Sequence, residues 1–157
     1  MDRVLFDTLV GPMALECEGE CLTALYLPCR PVEAAGAETP LLARGRAQLL
    51  EYFQGKRRVF DLPLAPQGTP FQRRVWSALT EIPYGTVISY KELARRVDRP
   101  KGFQAVGQAN GRNPLPIIVP CHRVVGADGS LTGYGGGLAA KEFLLALEQG
   151  GRPSSLI

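Results

Sequence analysis

The chain has 157 residues, 45% of them hydrophobic and 21% charged, with a net charge of +3. That is enough apolar material for one ordinary core or two small lobes, so the chain is expected to fold. No apolar run approaches the ~20 residues of a membrane helix, and the opening MDRVLFDTLV lacks the order of a signal peptide, so a soluble cytoplasmic protein is expected.

The first thirty residues alternate apolar and polar positions, with turn signals at Gly11-Pro12 and Glu18-Gly19-Glu20, and predict a small antiparallel meander. After a Pro/Ala/Gly/Glu connector over 28–39, the spacing of Leu42, Leu49, Leu50 and Phe53 predicts a helix over 40–54 despite Gly45. LPLAPQGTP then reads as a linker, which divides the chain into an N-terminal lobe, 1–68, and a C-terminal one, 69–157. Thr69, Pro70 and Gln72 form a capping box for a helix whose Phe71, Val75, Ala78 and Leu79 share a face. Ser89 and Glu92 suggest a second box, opening SYKELARRV. A third helix, KGFQAVGQANGR, has a small apolar face (Ala105, Val106, Ala109) and aligns Gln104, Gln108 and Arg112 on another. Two short helices around a tight basic turn look like a helix-turn-helix, though helical hairpins unrelated to DNA are equally common.

Charge follows the same division. Residues 1–68 carry 7 Lys/Arg against 9 Asp/Glu, whereas 69–157 carry 11 against 6, which points the C-terminal lobe toward an anionic partner such as nucleic acid. Cys17 and Cys21 have a spacing that suits zinc, but no second pair follows, so no structural metal is expected.

The apolar run LPIIVP predicts a buried strand or extended segment, and Cys121 leaves it beside the chain's single histidine, His122. A free thiol has a pKa near ~8.5 and becomes a nucleophile only beside a base or a cation. In an extended segment adjacent side chains point to opposite faces, so a turn after Pro120 or a bridging water would be needed. A lone Cys-His pair is more often structural than catalytic. Two later features shift that balance: the glycine-rich TGYGGG, which lets backbone approach a ligand, and the last helix, LAAKEFLLALEQG, where Lys141 and Glu148 share a face. A carboxylate there could orient an imidazole.

PCHRVVG, preceded by IPYGTVISYKELA and AVGQANGRNPLPI and followed by GSLTGYGGGLAAKEFLLALE, strongly resembles the O6-alkylguanine-DNA alkyltransferases, also called methylated-DNA-protein-cysteine methyltransferases. The likeness runs from about Thr69 to Glu148, and residues 1–68 resemble only that family's variable N-terminal lobe. It implies an α+β fold, with a small antiparallel-sheet and helix lobe followed by a mostly helical lobe holding a helix-turn-helix. It also implies repair in one irreversible turnover, with Cys121 accepting the alkyl group from O6-alkylguanine and O4-alkylthymine as a second candidate substrate.

By the same resemblance His122 takes the thiol proton through water, Glu148 holds the imidazole, Asn113 braces the segment, and Tyr90 and Lys141 assist the departing guanine. The carbonyls of Cys121 and Val124, the amide of Gly135 and the ring of Tyr134 would line the base pocket, together with Asn110. Gln104, Ala105, Gln108, Arg112 and Arg123 would meet the minor groove of double-stranded DNA, bound by a monomer without cofactor or metal. The sequence departs from the family where an arginine commonly fills the gap left by the flipped base, which here is Gln104, and at Asn110, where an apolar residue is frequent. The competing reading is a non-catalytic helix-turn-helix protein, a damage sensor or regulator. Related alkyltransferase-like proteins lack the cysteine, and this chain retains it.

Overall fold

The structure is a computed structural model and describes residues 1–28, 32–126 and 137–150. Strands β1 (Asp2–Thr8), β2 (Gly11–Glu18) and β3 (Cys21–Tyr26) form an antiparallel sheet in the order β1-β2-β3, as the alternating pattern predicts. Helix α1 (Pro40–Phe53) covers it, started by Thr39, whose side chain accepts from the Leu42 amide. Gly45 does not break this helix because the sheet needs it there: a Cβ at that position would stand 2.5 Å from Leu15 Cδ2, so glycine lets α1 approach β2.

The C-terminal part is mostly helical. Helix α2 (Pro70–Leu79) opens with the full Thr69/Gln72 capping box and buries Val75, Trp76, Ala78 and Leu79. Strand β4 (Ile88–Ser89) leads into α3 (Tyr90–Arg96), and α4 (Phe103–Gly111) and α5 (Leu138–Glu148) complete the set among the described residues. Ser89 caps α3 by accepting from the Glu92 amide. The expected reciprocal arm is absent, because the Glu92 carboxylate pairs instead with Arg95 and Arg96. Beyond the resulting N-terminal sheet and helical C-terminal region, the α+β architecture contains a two-stranded parallel ribbon, in which β4 pairs with β5 (Val124–Val125).

Three local expectations differ from the structure. Residues 115–120 are not a strand: Val119 N donates to Leu115 O and Ile118 N to Pro116 O, folding the segment into a tight turn. Ala105 is exposed, so the buried face of α4 consists of Val106, Ala109 and Asn110. The proline-rich stretch is not a free tether, because Leu22 and Leu64 form a parallel bridge that adds the stretch to the edge of β3. One hydrophobic cluster runs from Met13 through Tyr52, Trp76 and Val119 to Leu147. Among the described residues no helix is long and apolar enough to cross a membrane.

Candidate active site and DNA-facing helix

Cys121 is presented by backbone that the surrounding residues hold under tension. Ile117, a β-branched residue, takes φ +73, a conformation that costs about 1–3 kcal/mol and persists only where neighbours over-determine it. Those neighbours include Asn113, whose Nδ2 donates to Val119 O at 2.7 Å while its Oδ1 accepts from Leu115 N at 3.0 Å. Asn113 therefore does brace the segment. Residues 121–123 then form a single 3₁₀ turn after Pro120, which supplies the turn that a Cys-His neighbour pair requires. Pairing of β5 with β4 ties this turn to Ser89, the cap of α3.

A buried ionic cluster stands behind the turn. Glu148, in the last turn of α5, accepts on Oε2 from His122 Nε2 at 2.6 Å, Tyr52 Oη at 2.6 Å and an Arg123 terminal nitrogen at 3.0 Å. Its Oε1 accepts from Arg123 Nε at 2.8 Å and from the Gly85 amide at 3.3 Å. Burial would raise its pKa, but the hydrogen bonds from His122, Arg123 and Tyr52 win and hold it at about 2. An ionised carboxylate can only accept, so Nε2 carries the hydrogen and Nδ1 of the neutral ring bears the free lone pair. Nδ1 is buried and has no protein partner among the described residues. The imidazole is thus held in the tautomer that can receive a proton.

Burial lowers the pKa of His122, against the pull of Glu148, and keeps it neutral at pH 7. Burial also pushes the Cys121 thiol up to about 11, while the nearby Asn113 amide and Lys141 ammonium favour the thiolate. At pH 7 Cys121 is a protonated, 5% exposed thiol next in the chain to a neutral imidazole. Such a site can pass the proton on when a substrate arrives, yet stays quiet toward bulk electrophiles.

Lys141 is fully buried and donates through Nζ to Val124 O at 2.6 Å, with the Tyr90 ring centroid 6.0 Å away. Burial lowers its pKa, opposed by Cys121. Asn110 is also buried, and its Nδ2 donates to Cys121 O at 3.4 Å. Cys121, His122, Asn113, Lys141, Glu148, Tyr90, Val124 and Asn110 are therefore linked by these contacts into one cluster. Tyr134 and Gly135 lie outside the described residues.

On α4, Gln104, Ala105, Gln108 and Arg112 are exposed together, and Phe103 at its start is 46% exposed. Trp76 Nε1 donates to Ala109 O at 2.8 Å and fastens the opposite face to α2. Arg73, Arg74, Lys91, Arg99 and Lys101 are exposed on α2, on α3 and in the turn before α4. Arg123 is the correction. Expected at the DNA, it is 6% exposed and committed to Glu148 and to Ile82 O, because an ion pair already desolvated outcompetes a surface contact for its guanidinium. Sequence reasoning missed Tyr52 altogether, and no local pattern connects a tyrosine in α1 with a glutamate 96 residues later.

With this geometry in place, the comparisons with known proteins agree with one another. The family described as 6-O-methylguanine DNA methyltransferase, DNA binding domain, matches residues 70–150. Over 153 residues the chain is 59% identical to the methylated-DNA-protein-cysteine methyltransferase of Methanosarcina acetivorans, covering 94% of this chain and 98% of that one. It is 60% identical to the Methanosarcina barkeri protein of the same name over 102 residues, which span 65% of each chain. The crystal structure of Mycobacterium tuberculosis OGT in complex with DNA superposes with a TM-score of 0.85 at 44% identity, covering 98% of this chain and 96% of that one.

Proposed function

Because the chain belongs to the 6-O-methylguanine DNA methyltransferase family, we propose that it repairs DNA by moving the alkyl group of O6-alkylguanine onto Cys121 in one irreversible turnover. The observation that carries this reading is the buried chain His122–Glu148 directly behind Cys121, with Nδ1 left to accept. Cys121 Sγ, losing its proton to His122 Nδ1 through a water, attacks the alkyl carbon. The S–C bond forms as the C–O6 bond breaks, and the electron pair of the latter stays with guanine, which takes up a proton to restore the base. Lys141, 6.0 Å from the Tyr90 ring, and Tyr90 itself stabilise the negative charge that develops on the departing guanine. The product thioether has no leaving group for water to displace, so the protein is spent.

A 5% exposed cysteine cannot reach a base inside a duplex, so the nucleotide is flipped out, at a cost of a few kcal/mol. The exposed face of α4 serves that step, with Ala105 and Gly107 giving close approach in the minor groove and Gln104 filling the gap left by the base. Gln108, Arg112 and the basic residues around them meet the backbone without reading sequence. Cys121 carbonyl oxygen accepts from the 2-amino group of guanine, and Tyr134 and Gly135 complete the pocket. The protein works as a monomer without cofactor. A nucleophile that must remain a free thiol suits the cytoplasm.

The test is incubation with duplex DNA carrying labelled O6-methylguanine. One equivalent of label on Cys121, abolished in Cys121→Ser, is expected. Binding of the lesion without transfer would instead establish a damage sensor, and turnover beyond one equivalent a hydrolase.

A further inference from the structure

We propose that Phe103 is a stacking wedge: its ring enters the minor groove beside Gln104 and packs on the base pair bordering the gap, so that the duplex cannot close behind the flipped nucleotide. The inference rests on the alkyl-transfer reading above and concerns how the lesion is kept out of the stack. Phe103, the first residue of α4, is 46% exposed, and every other aromatic side chain among the described residues is buried or half-buried. A phenyl ring in water gives up the stabilisation that burial brings the others. Scattered surface hydrophobics are common, and it is the setting of this one that gives it a role.

The backbone beneath the ring is fixed. Gly102 N donates to Arg99 O at 2.8 Å, and a Cβ on Gly102 would stand 3.1 Å from Arg99 Cβ, so glycine lets the chain turn tightly into the helix. Gly102 O then accepts from Val106 N at 2.9 Å, which places Phe103 inside the first hydrogen-bonded turn rather than on a loop. Further along α4, Trp76 Nε1 holds the Ala109 carbonyl and keeps the helix from drifting. The Arg99 guanidinium lies over the Phe71 ring, 5.7 Å from its centroid.

Helical phase aims the ring. Phe103, Gly107 and Asn110, at i, i+4 and i+7, share one face of α4, while Gln104, Gln108 and Arg112 share the next. The first face leads to the nucleophile: a Cβ at Gly107 would stand 3.9 Å from Tyr90 Cε1, and Asn110 Nδ2 donates to Cys121 O. Phe103 continues that face outward by one turn, ~6 Å along the axis, and so stands on the pocket side of Gln104. A glutamine in the gap can hydrogen-bond an orphaned base but has no π face. An aromatic ring supplies one, and stacking on it tolerates any base, which suits a protein that must act wherever damage falls. Apolar wedges are the usual means by which minor-groove proteins unstack a step. Arg99 and Lys101 before the helix and Arg112 after it are exposed, and bring positive charge to the phosphates on either side.

Single-turnover transfer is measured with the full chain on O6-methylguanine in a duplex, in the same strand alone, and as the free nucleoside. Phe103→Ala should slow duplex repair about tenfold and the other two reactions by far less, because only the duplex has a stack to hold open. Phe103→Trp, which offers a larger π face, should stay within about twofold of wild type on the duplex. Affinity for the lesion duplex is read in the Cys121→Ser background, where no transfer intervenes. Adding Phe103→Ala there should weaken binding about tenfold at an unchanged salt slope, since no phosphate contact is lost. Duplex repair by Phe103→Ala at the wild-type rate overturns the assignment. So does a loss by one factor on all three substrates, which would mark a side chain that merely holds α4 in place. Absence of transfer from every substrate by the wild type would instead overturn the alkyl-transfer reading, and the affinity comparison then still decides on Phe103.

Discussion

Tyr52 Oη, in the N-terminal helix α1, donates to Glu148 Oε2 at 2.6 Å across 96 residues of sequence. Both groups are buried, and the tyrosine ring packs edge-on against Phe53 and Tyr84. Burial first, then the charge of Glu148, raises the tyrosine pKa, so its hydroxyl remains a neutral donor at any working pH. The N-terminal lobe thus supplies one of the hydrogen bonds that the Glu148 carboxylate accepts beside that from His122.

Tyr52→Phe removes that arm and leaves the remaining donors in place. A hydrogen bond to a buried charge contributes roughly 1.5–3 kcal/mol, so the unfolding free energy should fall by an amount in that range, read as a lower denaturation midpoint at an unchanged m-value. The single-turnover rate should fall several-fold as the imidazole loosens. A rate equal to wild type would mean that Tyr52 contributes to stability only.

The pH profile separates a base-assisted thiol from a preformed thiolate. His122 is depressed by burial and is neutral through the physiological range, while Cys121 stands at about 11. With His122 taking the proton, transfer should be flat over roughly pH 6.5–9 and decline only on the acid side, where the ring protonates. His122→Asn leaves the thiol to ionise alone, and its rate should climb about tenfold per pH unit toward the thiol pKa. The same climb in the wild type would remove His122 from the mechanism.

Arg123 belongs to the fold rather than to the DNA surface. Arg123→Ala strips the buried Glu148 of its two shortest guanidinium contacts and should cost about 3–5 kcal/mol, with Arg123→Lys recovering part of it. In the alanine variant the slope of log K against log salt for DNA binding should match wild type. A phosphate contact would show as a change of slope near one.

Gln104 is exposed at the start of α4 with no charge to offer a phosphate or an orphaned base. Gln104→Ala should weaken binding and slow repair of a duplex lesion while sparing a single-stranded one, where nothing has to be flipped. Gln104→Arg should tighten duplex binding and steepen its salt dependence by about one. Equal repair rates for the alanine variant and wild type on duplex would rule out a role in filling the gap.

What could be read from the chain in advance was local. The Thr69/Gln72 box, the Ser89 cap and the alternation of β1 to β3 lie within a few residues, and each forms as its spacing requires. The resemblance implies that Glu148 holds the His122 imidazole, and the two side chains stand 2.6 Å apart. The failures share a cause, which is that tertiary partners outranked local pattern. Arg123 has a basic side chain next to a presumed DNA site, yet a buried carboxylate captures it. Residues 115–120 have strand composition, but Asn113 holds both ends of the segment and imposes the turn with Ile117 at φ +73. The helix expected over 40–54 despite Gly45 does form, and the glycine lets α1 approach Leu15.

The sheet edges carry one more consequence. A three-stranded sheet ordinarily ends in two rows of unpaired backbone groups, each a template on which a second copy can add a strand. Here Arg3 of β1 exchanges both backbone hydrogen bonds with Ala35, and Leu22 of β3 does the same with Pro63 and Ala65 while Leu25 donates to Pro114. Each border is thus paired over part of its length by the chain's own backbone. Pairing the borders in this way narrows the strand-addition route by which crowded copies aggregate.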